Sequence, residues 1–203
     1  MLGLPHSTEV NRRIAKDKLY TNANITSQLR DIIKDQIEAV FWRNKLAENT
    51  FNVSAGEKVS ELQVFEIQLR QRSLDKRVLS VIAKAIPYKI LFILTFNNEV
   101  QAWIEAEGSF YHTDWQPSDG IILKFDGLNL DTVYENLARQ IADGRLGKSG
   151  DITEAVESDI RRQKLEREIA VLEKKLLREK QFNKKVELKG EIKRLRKELE
   201  VLG

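Results

Sequence analysis

The chain has 203 residues, 41% hydrophobic and 32% charged, with a formal net charge of +3. It has no cysteine and two histidines, His6 and His112, which excludes a disulfide framework, a thiolate metal site, a cysteine nucleophile and any centre built on several imidazoles. No run of about eighteen apolar residues is present, and MLGLPHSTEVNRR lacks the basic-then-apolar design of a signal peptide, so a cytoplasmic address is expected.

The first periodic segment spans residues 27–46. Leu29, Ile32, Ile33, Ile37, Val40 and Phe41 share one face at helical spacing, and Ser27 is placed to cap the start, so a single helix is predicted. LQVFEIQLR (Leu62 to Arg70) alternates apolar and polar residues as a half-buried strand does. SLDKRVLSVIAKAI then reads as a helix with Ser73 as cap and Pro87 beyond its end. KILFILTF is a continuous apolar run, the pattern of a strand buried on both faces. Asn97-Asn98 suits a turn, EVQAWIEAE resumes the alternation as a hairpin partner, and SFYHTDWQ adds a third strand broken by Pro117. IILKF predicts a further short strand. Asp131 or Thr132 caps a helix running to Asp143, with Val133, Leu137 and Ile141 facing in and Gly144 at the exit. The expected fold is α+β over residues 1–143: a mostly antiparallel sheet with flanking helices.

Residues 144–151 form a Gly/Ser linker, and residues 152–203 change to a Lys, Glu, Leu and Arg composition. From Asp159 onward there are fifteen Lys and Arg against nine Asp and Glu, so the basic character belongs to the tail. Two apolar seams run along it: Leu165, Ile169, Leu172 and Leu176, then Leu188, Ile192, Leu195, Leu199 and Leu202. The seams are out of register on one continuous helix. Either the chain reverses near residues 180–184, with Asn183 capping a second helix, or one long helix meets different neighbours. A coiled-coil hairpin is the preferred geometry. Its seam residues Leu165, Ile169, Leu172, Leu176, Leu188, Ile192, Leu195 and Leu199 are the candidate partner-binding set. Such seams also pair between two copies, so a homo-oligomer is a further expectation.

Three groups of residues bear on chemistry. Strand, helix and buried strand in the order VFEIQLRQ, SLDKRVLSVIAKAI, KILFILTF match the second half of nucleases with a D…ExK metal site. Glu66 would hold Mg²⁺ there and Gln68 stands in the lysine position. No aspartate lies between Asp35 and Asp75, so Glu57 or Glu61 would have to substitute, and a solvated strand face explains the same residues without catalysis. His112 and Asp114, two apart on a predicted strand, form a second candidate pair, although that spacing puts any two residues on one side. Lys184, Lys185, Lys189, Lys193, Arg194, Arg196 and Lys197 could meet phosphates, but Phe182 is the only aromatic residue among them, which gives base stacking little support. Neither a phosphate-binding glycine loop nor a G-x-S-x-G elbow occurs, and no cofactor is expected apart from Mg²⁺ under the nuclease reading.

LGLPHSTEVNRRI, AGEKVSELQVFEI, KAIPYKILFIL followed by EVQAWI, FYHTDWQ, and EKQFNKKVELKGEIKRL together resemble a bacterial and archaeal family, the domain of unknown function (DUF) numbered four-three-nine-one. The likeness covers nearly the whole chain. It carries no established catalytic residues. It implies partners instead, because genes of this type lie beside a site-specific DNA methyltransferase and a helicase-like ATPase in loci that look like restriction-modification or anti-phage defence systems. The expectation is an accessory interaction subunit docking on a helicase or methyltransferase through its arm. The rivals are a degenerate metal-dependent nuclease around Glu66 and Gln68, and a DNA-binding adaptor that uses the basic arm.

Overall fold

A computed structural model describes residues 2–17 and 25–202 of the chain. It divides into two compact units, Met1–Gly144 and Arg145–Gly203. The first contains a 3-10 turn (His6–Thr8), β1 (Glu9–Ile14), α1 (Ser27–Gln36), β2 (Ile37–Leu46), the short α2 (Glu48–Phe51), β3 (Leu62–Leu69), α3 (Lys76–Ala85), β4 (Lys89–Phe96), β5 (Glu99–Ala106), β6 (Ser109–His112), β7 (Gln116–Pro117) and α4 (Leu130–Ile141). The second consists of α5 (Ile152–Arg178) and α6 (Phe182–Val201).

The seven-stranded sheet runs β1-β2-β3-β4-β5-β6, with β7 beside β5. Every pairing is antiparallel except β3–β4, which is parallel. A parallel pair cannot be closed by a tight turn, and α3 supplies the crossover. On one face Phe65, Ile67, Leu69, Phe92 and Leu94 pack with Ile33 of α1 and Val78, Leu79 and Ile82 of α3. Helix α4 packs on β5, burying Val133, Tyr134, Leu137 and Ile141. Burial raises the Tyr134 hydroxyl above its usual pKa, and the hydroxyl donates to the Glu105 carbonyl. The architecture is α+β, as the patterning indicates.

Several local expectations are corrected. The helix predicted over residues 27–46 ends at Gln36, and Ile37–Leu46 is a strand between β1 and β3. The stretch IEAVFW is rich in β-branched and aromatic residues, and the ladder partners on both sides outweigh its 3.6-residue spacing. Thr26 caps α1 in place of Ser27, accepting from Leu29 N–H. Asp75 caps α3 in place of Ser73, accepting from Arg77 N–H. IILKF is not a strand: Ile121 is buried, Ile122 is exposed, and Gln140 holds both backbone polar groups of Lys124. Asn129 caps α4. Asp131 instead accepts from three successive backbone N–H groups, those of Glu57, Lys58 and Val59, at 2.8, 3.1 and 2.7 Å. Gly56 leaves room for that clasp, since a Cβ there would lie 2.2 Å from the Asp131 carboxyl carbon.

In the second unit the chain reverses over residues 179–181, and the two helices pack along their seams. Leu165, Ile169, Ile192 and Leu195 form the buried centre, with Leu172, Leu176, Leu199 and Leu202 against it, and Leu188 is buried as well. Asn183 lies inside α6 and does not cap it. The Glu179 carboxylate holds the turn by accepting from the N–H groups of Lys180 and Gln181, both at 2.8 Å. Arg161–Glu198 and Arg196–Glu173 tie the helices across the seam at 2.6 Å each.

Candidate functional site

Two places bring the sequence-predicted residues together: a cavity of mixed polar and apolar lining on the sheet, and the surface of the arm. The cavity follows from two irregularities. Pairing of β1 with β2 shifts register between Glu9 and Arg12, where Asn11 takes φ 49°, a left-handed conformation that asparagine tolerates better than most residues. Pairing of β2 with β3 shifts between Trp42 and Asn44, which leaves Arg43 as the extra residue. The bulges turn Asn11 and Arg43 toward Glu66 on β3. Arg43 Nε donates to Glu66 at 2.8 Å, Arg43 Nη1 to Asn11 Oδ1 at 3.3 Å, and Asn11 Nδ2 to Glu9 at 3.1 Å. Gln68 Nε2 donates to the other Glu66 oxygen at 2.9 Å, and His6 Nδ1 lies 2.7 Å from Glu9. Leu2, Leu4, Val64 and Ile93 wall the remainder of a cavity of about 400 Å³.

Glu66 and Gln68 are therefore joined, with Glu9 rather than Glu57 or Glu61 as the second carboxylate at the cavity. Glu57 contributes backbone to the Asp131 clasp. Glu61 lines a different cavity with Ile90 and Phe92, and pairs with Lys45 at 2.8 Å, a hydrogen bond that raises the lysine above its usual pKa. Both Glu66 oxygens are engaged, one by Arg43 and the other by Gln68. Among the described residues no group of three or more His, Cys, Asp or Glu side chains is placed to hold a metal. Glu9, Asn11 and Arg43 escaped the sequence reading because bulges, not motif spacing, assemble them.

His112 and Asp114 are not brought together. Strand β6 ends at His112, and Asp114 lies beyond it, exposed. The His112 ring packs on Trp103 with centroids 4.3 Å apart, and its Nδ1 is within 3.2 Å of Gln101 Nε2 and 2.9 Å of the Thr113 carbonyl oxygen. Trp42, Trp103 and Trp115 all pack partly buried against the core.

On the arm, the residues nominated for partner binding face one another: the seam is spent on closing the hairpin. The basic candidates divide by angle. At about 100° per residue, Lys185, Lys189, Lys193, Arg196 and Lys197 share one side of α6, whereas Lys184 and Arg194 point away from it. Apolar side chains stand exposed at several places on the arm: Leu177 at 84%, Phe182 at 77% and Val186 at 54% flank the turn, and Ile160, Val171 and Val201 lie further along the helices. No helix among the described residues is long and apolar enough to cross a membrane.

A protein-family model described as "Domain of unknown function (DUF4391)" matches residues 2–199. No curated protein matches the chain, and no solved structure does.

Proposed function

The chain belongs to the DUF4391 family, and we propose that it is an accessory interaction subunit, an α+β body carrying a helical arm that docks on another protein. The observation carrying this reading is the tip of the arm. A solvated helical turn is ordinarily polar, yet Leu177, Phe182 and Val186 stand in water beside a seam that is already satisfied. Large apolar side chains exposed on both sides of one turn suit a surface that a partner covers. The partner expected from the family resemblance is a helicase-like ATPase or a DNA methyltransferase of a bacterial defence locus, and such a partner would be met in the cytoplasm.

Tagged full-length protein recovered from its native cells tests the proposal. The ATPase or methyltransferase should co-purify, and Leu177→Glu with Phe182→Glu should release it while the protein stays folded. Recovery of the protein alone, or a partner indifferent to both substitutions, would reject the reading.

The nuclease reading keeps one supporting observation, that Glu9 and Glu66 line the same cavity. Against it, the Arg43 guanidinium already neutralises Glu66. Incubation with DNA and Mg²⁺ or Mn²⁺ decides: cleavage that Glu66→Ala abolishes would establish it, and no cleavage by the unmodified protein removes it.

A further inference from the structure

Behind the apolar tip, one face of α6 changes character. Phe182, Val186, Lys189, Lys193 and Lys197 recur at spacings of four, three, four and four, so they form one stripe, apolar at the turn and basic beyond it. The basic part borders a groove of about 410 Å³ between α5 and α6. Its floor is the outer edge of the seam, where half-buried Leu176 and the nearly buried Ile192 come to the surface. Arg196 lines it too, with its charge engaged by Glu173 at 2.6 Å, and Glu200 closes the far end. Lys189, Lys193 and Lys197 have no ion-pair partner among the described residues.

From this juxtaposition we propose that the groove receives an acidic amphipathic helix of a partner protein. The helix would set its apolar face on Phe182, Val186 and the accessible part of Leu176, and its flanking carboxylates against Lys189, Lys193 and Lys197. The inference rests on the docking role of the arm and names the chemistry of what docks. Two other occupants fit less well. A second copy meeting this face across a two-fold axis would stack lysines on lysines. A nucleic acid would use the lysines but has no use for a Leu–Ile floor, and the stripe offers one aromatic ring for stacking.

The test uses the full-length protein and three fluorescent probes at physiological salt. These are a synthetic amphipathic helix with Leu at a and d and Glu at e and g, the same helix with Lys replacing Glu, and a short DNA duplex. The Glu helix should bind at least about tenfold more tightly than the Lys helix. K189E/K193E/K197E should invert that order, and raised salt should narrow it in the unmodified protein, which keeps the proposal testable if the triple variant fails to fold. Equal binding of the two helices, binding of neither, or displacement of the Glu helix by the duplex would overturn it. A native partner released by Leu177→Glu with Phe182→Glu but retained by K189E/K193E/K197E would also overturn it, while leaving the arm as the docking element.

Discussion

Arg43 Nε lies 2.8 Å from the Glu66 carboxylate, joining β2 to β3 through a pair whose acidic partner is nearly buried. Truncating the arginine strands that carboxylate with only the Gln68 amide. Arg43→Ala should cost about 2 kcal/mol, the scale of a lost charge-assisted hydrogen bond with partial desolvation. Glu66→Gln should cost less, because an amide oxygen still accepts from Nε. Combining the two should cost less than their sum, as urea denaturation of the four proteins would show.

The hairpin depends on its seam. Ile192→Ala or Leu195→Ala should each destabilise the arm by about 2–4 kcal/mol, the range for truncating buried aliphatic side chains. Leu177→Ala, at a position 84% exposed, should change it by less than about 0.5 kcal/mol. Amide exchange across α5 and α6 reads both, and the expected signature is faster exchange only for the seam variants.

The Asp131 clasp orders the loop before β3. Asp131→Ala frees the N–H groups of Glu57, Lys58 and Val59 and should cost about 2–3 kcal/mol, while Asp131→Asn keeps one acceptor oxygen and should cost less. Gly56→Ala should mimic Asp131→Ala in thermal unfolding, since its methyl group would displace the carboxylate.

Acid should loosen α3 and the arm's turn. A hydrogen bond from Arg77 holds Asp75 below the usual carboxylate range, and the Gln181 and Lys180 N–H groups do the same for Glu179. A depressed folded-state pKa means stabilisation that is complete above the ordinary carboxylate value and disappears as the pH falls through the lower folded value. Asp75→Asn keeps a capping oxygen but cannot titrate, so it should flatten part of the acid slope in a series of thermal melts.

The readable parts of this molecule are those where one periodicity acts alone. The apolar run of KILFILTF gave β4, and the two leucine seams favoured the hairpin over one long helix. LQVFEIQLR is a strand as its alternation indicates, but it is buried on both faces, with Gln63 and Glu66 on its polar side covered rather than facing solvent. Residues 37–46 were misread because Ile37, Val40 and Phe41 satisfy helical spacing while the deciding influence, ladder partners on both sides, is non-local. Strand β1 was not foreseen either, since only pairing with β2 makes EVNRRI a strand. The cavity was legible at Glu66, to which Gln68 donates, but not at Glu9, Asn11 and Arg43, which two register shifts bring to it. The change of seam register announced the turn near residues 180–184, but the exposure of Leu177 and Phe182 beside it emerges only once the two helices are packed.

Hydrogen–deuterium exchange of the full-length protein, alone and bound to the partner it brings out of its native cells, tests the docking role of the arm most directly. Slower exchange should appear on binding along α6 and the end of α5 around the tip, with β1, β2 and β3 unchanged. Protection that appears around Arg43 and Glu66 and leaves the arm untouched would contradict the account.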